Sequence, residues 1–461
     1  VYDARVTHTI EELGTWDAVE TSARIRRGEV SRREVAEAAL ARAEARAELA
    51  SVVTLCSERA RSQVQSPQRG ASDGPLFGVP TFIKDLAQLE GVATTWGSVA
   101  APGHVSKKSD PIVRRIESLG LTILGKSAAP EFGITPTTEP TGRAPCRNPW
   151  NREHSAGGSS GGAAVLVATG VVPIAHASDG GGSIRIPASA CGLVGHKPSR
   201  FMMDMDGSPL LPVNVAVDGV VSRTVRDTVA FFEAAEARGR ASRRAPRLGR
   251  VVRGDRRLRM GVFTDSPLGR PVGSEPADAA IRAGELCASL GHQVESIRAP
   301  FDGAALDDFM AYWGFLAWMQ IRAAPVMLTR RFDTRKVESL TSGLARTFTR
   351  APLSTARATR RLRRFAAEYA KVFERYDVLV SPTLAELPPK LGWISTDAPF
   401  EAWFERIRNY VPFTPLQNAA GAPAISLPLG RAENGLPIGV QFAGPFGGDA
   451  TLLSLALELE E

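Results

Sequence analysis

The run "SAGGSSGGAAVLVATGVVPIAHASDGGGSIRIPASACGLVGHKPS", residues 155–199, crowds glycine around two serine sites, Ser159/Ser160 and Ser183. Glycine at this density lets the backbone turn sharply and come close to other groups. The run therefore predicts tight loops between short elements, with two hydroxyls held inside them. No histidine, aspartate or cysteine stands beside either serine as a familiar triad would place it.

Gly157-x-Ser159-x-Gly161 has the form of a nucleophile elbow, which would make Ser159 the nucleophile. An elbow needs a buried strand directly before it, and "PCRNPWNREHSA" is polar and rich in turn formers. The run lacks the Gly-Lys-Ser/Thr ending of a phosphate loop, and no dinucleotide-binding glycine pattern follows a strand. The second serine fits chemistry better. In "DGGGS", three glycines precede Ser183, so successive backbone N–H groups can turn inward as an anion-holding nest. "SIRIPASACG" predicts a short helix with its N-terminus at the same place. A hydroxyl beside such a nest is what acyl transfer requires; a plain glycine-rich turn with a capping serine is the alternative.

A serine nucleophile needs a base. His176 lies in an apolar, strand-like run, where a lone histidine reads as a core residue, and His196 flanks the block on the other side. A lysine desolvated in an apolar pocket loses its proton near neutral pH and can serve instead. Lys84, ending the apolar run in "GVPTFIKDL", fits; Lys126 in "ILGKS" is its rival. Either could also be a surface lysine with a buried stem.

The rest of the chain predicts an α/β fold. "VSRREVAEAALARAEAR" opens with Ser31 and Glu34 at capping-box spacing and reads as a helix. "LFGVPTFIKD", "LRMGVFTD" and "YDVLVSPT" read as strands, and "DPIVRRIESLGLTILGKS" as helix, glycine turn and strand. Alternating units of this kind pack helices on a mostly parallel or mixed central sheet. We expect a single domain over residues 1–461, with an Arg-rich connector at about 237–257 and a mainly helical insertion at about 301–375.

The net charge of +7 is concentrated in "ARGRASRRAPRLGRVVRGDRRLR" and in "RRLRRF" near Arg360. These read as a solvated connector and a polar helix face, without the basic-aromatic interleaving of a nucleic-acid groove. No apolar run reaches the ~18–20 residues of a membrane span, and no basic-then-apolar leader opens the sequence. The 4 cysteines have no metal spacing, so the expected setting is a reducing cytoplasm.

"GVPTFIKD", "GGSSGG", "DGGGSIRIPASACGLVGHKPS" and "NAAGAPAISLPLG" with "NGLPIGVQ", in this order, resemble the amidase signature family of Ser-cisSer-Lys hydrolases. The resemblance implies a large mixed central β-sheet covered on both faces by α-helices. It puts the base on Lys84, the nucleophile on Ser183 and the bridging serine, with its cis peptide, 24 positions earlier on Ser159. It also implies an oxyanion hole from the N–H groups of Gly180, Gly181, Gly182 and Ser183, and a bracing ion pair between Asp179 and Arg185. Gly180 departs from the larger residue usual there, which implies a wider acyl pocket. The implied activity is cleavage of amide C–N bonds, extending to carbamates and aryl esters, with no metal or organic cofactor. The implied partner is a small-molecule amide or carbamate rather than nucleic acid or membrane, for a monomer or homodimer. The overall pattern is most similar to bacterial amidases related to 6-aminohexanoate cyclic-dimer hydrolases and urethanases. A glutaminase-like subunit of a tRNA-dependent amidotransferase is the alternative. Trp313, Phe315, Trp318 and Met319, with "GWISTDAPFEAWFERI", are expected either to cover an aromatic-rich acyl pocket or to be core.

If Ser183 is the nucleophile, Ser183→Ala abolishes covalent labelling by a fluorophosphonate, read by mass spectrometry. Labelling retained at Ser159 in that variant would support the elbow instead.

Overall fold

The computed structural model describes residues 8–65, 74–101, 103–203, 211–394 and 399–460. The strands are β1 (Val52–Leu55), β2 (Pro80–Lys84), β3 (Ala93–Thr94), β4 (His104–Val105), β5 (Thr122–Ser127), β6 (Ile174–Asp179), β7 (Val194–Lys197), β8 (Val217–Ser222), β9 (Arg259–Val262), β10 (Gln293–Ser296), β11 (Val378–Pro382), β12 (Ala424–Arg431) and β13 (Pro437–Ala443). Eight of them form one sheet in the order β10-β9-β11-β13-β12-β7-β8-β6. Its pairings are parallel along β10-β9-β11 and antiparallel from β11 to β6, so the sheet is mixed. A three-stranded sheet, β1-β5-β2, stands beside β6, and β3 and β4 pair as a ribbon.

Side-chain alternation explains why both faces carry helices. On β13, Ile438, Val440 and Phe442 point into a core shared with Ala279, Ala280 and Ala283 of the helix Ser274–Ser289 and with Leu452 and Leu453 of the helix Asp449–Glu460. The intervening Gly439 and Gln441 face the short helix Arg185–Cys191, through Ser189 and Arg185. The helix Gly161–Ala168 carries buried residues on every side, because it lies inside a second core with Ala175, Ala177 and Val221.

Local signals act where the sequence places them. Ser31 and Glu34 close the capping box of the helix Arg32–Ala45, and Pro111 opens the helix Pro111–Ser118 that leads by a glycine turn to β5. The strands β6, β7 and β8 precede the Arg-rich stretch and β9 to β13 follow it, all within the eight-stranded sheet. That stretch is not simply solvated. Leu248 and Val251 are buried, and Glu233 and Glu236 accept N–H groups from Leu248, Gly249 and Val251. Arg256 and Arg257 pair with Asp377 and Glu458.

Residues 301–375 are mainly helical, in Ala304–Met327, Ser339–Arg350 and Pro352–Val372. In the last helix Leu362, Phe365 and Tyr369 are buried while Arg360, Arg361, Arg363 and Arg364 are exposed, which is the periodicity of an amphipathic helix. Among the described residues no helix is long and apolar enough to cross a membrane.

Candidate active site

The Gly-rich run folds as two loops against one cavity. The first, residues 157–160, ends at the helix Gly161–Ala168 and contains a cis peptide between Gly158 and Ser159. Its glycines are there for close approach: a Cβ at Gly158 would lie 2.6 Å from the Thr137 carbonyl oxygen, and one at Gly162 would lie 2.3 Å from the Ala128 nitrogen. Thr138 secures this loop, its Oγ1 donating to the Gly157 carbonyl at 2.9 Å and accepting from the Gly161 N–H at 3.2 Å. The second loop, residues 180–183, joins β6 to the helix Arg185–Cys191.

Lys84 is the last residue of β2 and is wholly buried. Its Nζ lies 2.8 Å from Ser159 Oγ, 3.0 Å from Ser178 Oγ and 3.3 Å from the Ser178 carbonyl oxygen. Burial pushes its pKa down to about 7, against the attraction of Asp179 and Asp218 for the charged form. Lys126, on the neighbouring strand β5, is equally buried, but its Nζ is 3.0 Å from an Asp85 carboxylate oxygen and donates to Thr94 Oγ1 at 2.8 Å. Of these two lysines, one is an ion-pair partner and the other is an amine among hydroxyls and a carbonyl. Burial by itself does not select a base: Lys197 is also driven down to about 7 by burial, yet its amine donates to the Pro198 carbonyl, whereas that of Lys84 meets the Ser159 and Ser178 hydroxyls.

Ser183 and Ser159 line the same cavity, with Gly180 and Gly181. Among the described residues Ser183 Oγ has no hydrogen-bond partner, and the N–H groups of Gly180, Gly181 and Ser183 have no acceptor. The Gly182 N–H is different, since it donates to Asp179 Oδ1 at 2.7 Å. Of the four N–H groups expected in a nest, that of Gly182 is already taken by Asp179. The peptide joining Gly181 to Gly182 is held at both ends, because Thr414 Oγ1 donates to the Gly181 carbonyl at 2.7 Å. Gly182 has φ +132°, and a Cβ there would lie 2.3 Å from Thr414 Oγ1, so only glycine satisfies both the conformation and the contact. A Cβ at Gly180 would meet only Ala216, at 3.9 Å, so a larger residue would enter open cavity.

The brace beneath the loop is an Arg185–Asp179 pair with no solvent exposure. Arg185 Nε donates to Asp179 Oδ2 at 3.0 Å and Nη2 to Asp179 Oδ1 at 3.0 Å; Nη1 donates to Gln417 and Gln441, and Nη2 also to Asn418. These contacts use all five N–H donors a guanidinium possesses. Asp179 also accepts from the Gly182 and Ile184 N–H groups and from Asn418 Nδ2. Burial would raise its pKa, but the Arg185 charge and hydrogen bonds, Lys197 and Asn418 hold it down to about 2. Sequence reasoning found the ion pair without its polar collar. Asn418 and Gln441 lie inside the late motif and Gln417 directly before it, where nothing local marks them as partners of a residue more than 200 positions away.

The remaining candidates separate cleanly. His196 Nε2 pairs with Asp449 in the core, away from the cavity lining. His176 lines the cavity and contacts the Lys84 backbone. From the helix Ala304–Met327, Trp313 and Met319 line the cavity, whereas Phe315 and Trp318 pack on Phe348 of the next helix. In "GWISTDAPFEAWFERI", residues 395–398 lie outside the described residues, Trp403 stacks on Trp313 in the core and Ile407 reaches the cavity. The cavity holds about 530 Å³ and is mostly apolar, with Trp96, Phe132, Phe309 and Met310 among its walls and Asp110, Asp218, Gln320 and Arg408 as its charged and amide side chains. Among the described residues no three His, Cys, Asp or Glu side chains converge as metal ligands would. All four cysteines are free and buried.

A family model described as Amidase matches residues 34–453. A putative amidase AmiC from Mycobacterium leprae is 41% identical over 455 residues, covering 98% of this chain and 96% of that protein. A 6-aminohexanoate-cyclic-dimer hydrolase from Pseudomonas sp. is 32% identical over 481 residues, covering 98% of this chain and 96% of its own. A solved structure of 6-aminohexanoate cyclic dimer hydrolase superposes with a TM-score of 0.86 at 30% identity, covering 97% of this chain and 96% of that one. The chain belongs to the amidase family, the amidase signature hydrolases that act on amides.

Removing the guanidinium would leave Asp179 buried and unpaired, which costs about 3–5 kcal/mol. Arg185→Met is expected to lose that much stability in urea or thermal unfolding and to lose hydrolysis with it. A variant as stable and active as the parent would show that the pair does not hold the loop.

Proposed function

We propose that this amidase cleaves amide C–N bonds through an acyl-enzyme on Ser183, with Lys84 as the base and Ser159 as the proton carrier between them. The observation that carries this reading is the fully buried Lys84 amine 2.8 Å from Ser159 Oγ, with no carboxylate in contact among the described residues. As a neutral amine, Nζ accepts the Ser159 proton while Ser159 Oγ accepts the Ser183 proton, and Ser183 Oγ bonds to the substrate carbonyl carbon. The ammonium so formed has three N–H donors, matched by Ser159 Oγ, Ser178 Oγ and the Ser178 carbonyl. The oxyanion would accept from the Gly180, Gly181 and Ser183 N–H groups, which have no acceptor among the described residues. Collapse breaks the C–N bond, and the proton returns from Lys84 through Ser159 to the leaving nitrogen. Water then enters by the same route in reverse and releases the acid.

The cavity favours substrates with an apolar or aromatic group next to the scissile bond. Its volume and walls suit a compact ring or medium acyl chain, and the open space beside Gly180 gives room close to the carbonyl. The cyclic-dimer hydrolases among its relatives make compact aliphatic amides the first class to assay. Aryl amides follow, with carbamates and aryl esters as further acyl donors for the same nucleophile.

Because the base acts deprotonated, kcat/KM is expected to rise with pH through about 7 and level off above it. Lys84→Ala should cost about 10²–10⁴-fold in rate. Lys84→Arg should be nearly as slow, since a guanidinium stays protonated at any working pH. Near-normal hydrolysis by Lys84→Arg would make the lysine a structural cation and end the relay reading.

A further inference from the structure

β2, which carries Lys84, and β6, which leads to the Ser183 loop, belong to different sheets and share no ladder. Side chains bonded to main chain bridge the seam. Thr81 Oγ1 donates to the Ile174 carbonyl at 3.0 Å, and the Lys84 N–H donates to His176 Nδ1 at 3.2 Å. His176 Nε2 is 3.1 Å from Asp218 Oδ1 on β8. Since Nδ1 receives a backbone N–H, the ring proton is on Nε2 and is donated to Asp218. The imidazole is therefore neutral, 1% exposed, and oriented from both sides. His176 and Ser178 lie two positions apart on β6, so they share a face. One holds the backbone of Lys84 and the other its amine.

We infer that His176 and Asp218 are positioning residues for the base: Asp218 orients the imidazole, and the imidazole fixes the end of β2 so that the Lys84 amine stands at Ser159. This rests on the reading of Lys84 as the base. It gives a function to a histidine that its apolar setting marks only as core. Asp218 has a second effect, because its carboxylate, like that of Asp179, favours the protonated lysine. The other charged groups around this seam are Asp110, which lines the cavity and feels Asp218, and the Lys126–Asp85 pair on the far side of β2. Arg185 sits behind Asp179.

Two pairs of variants separate positioning from mere packing. His176→Asn keeps an acceptor near the place of Nδ1, whereas His176→Leu removes it. Asp218→Asn keeps an acceptor for Nε2–H and removes the charge. The experiment measures kcat, KM and the pH profile of amide hydrolysis for these variants and Lys84→Ala, with thermal unfolding beside each. His176→Leu should lose about 10–100-fold in kcat with KM little changed, and His176→Asn should recover most of it. Asp218→Asn should move the acid limb of the profile to lower pH. If His176→Leu fails to fold, the direction of the Asp218→Asn shift decides. An unmoved or upward-moved limb, or a folded His176→Leu with parental kcat, overturns the inference. Lys84→Ala with parental activity overturns the relay itself and is recognisable independently of the other variants.

Discussion

The site depends on keeping water and carboxylates away from one amine. A buried ammonium is costly without a counter-ion, and the fold contains both solutions side by side. Lys126 receives Asp85 at 3.0 Å, while Lys84, one strand away, receives only serine oxygens among the described residues. The first arrangement stabilises a cation in place. The second leaves the amine poised between its two protonation states, each of which finds hydrogen-bond partners. Excluding water around Lys84 requires the dense packing of β2, β5 and β6 and of the helix Gly161–Ala168, where the backbone at Gly162 approaches Ala128, and at Gly158 in the loop before it Thr137, more closely than any side chain would allow.

A second constraint positions the electrophile's partners. The 180–183 loop must present some N–H groups to the cavity while its other polar atoms are satisfied inside the protein. Asp179 takes the Gly182 and Ile184 N–H groups, Thr414 fixes the Gly181 carbonyl, and Arg185 neutralises Asp179. Among the described residues the N–H groups of Gly180, Gly181 and Ser183, which line the cavity, are then left without an acceptor. Rigidity matters here because preorganised donors stabilise an oxyanion without paying for reorientation.

The parts of this arrangement that were legible in sequence are those written locally. Glycine density marked the loops, the capping box of Ser31 and Glu34 marked a helix, and the apolar run before Lys84 marked a strand, with Lys126 left as an equal candidate by the local pattern. What sequence could not show was set by distant partners. Trp313 and Trp318 read alike at helical spacing, but Trp313 lines the cavity while Trp318 packs on Phe348 of the next helix. The Arg-rich stretch reads as solvated until Glu233 and Glu236 are seen to hold its backbone. His176 reads as core because its two partners lie 92 and 42 positions away. The order of the eight strands and the change from parallel to antiparallel pairing at β11 likewise depend on contacts that no window of sequence contains.

The central claim is that Lys84 titrates as a near-neutral base, and its amine can be observed without any substrate. Isotope-labelled lysine NMR, with the Lys84 signal assigned by its loss in Lys84→Ala, follows the protonation of that one group through a pH series. The account predicts a midpoint at about 7. A midpoint close to the ~10.4 of an ordinary lysine would mean the amine is charged throughout the working range, and would contradict it.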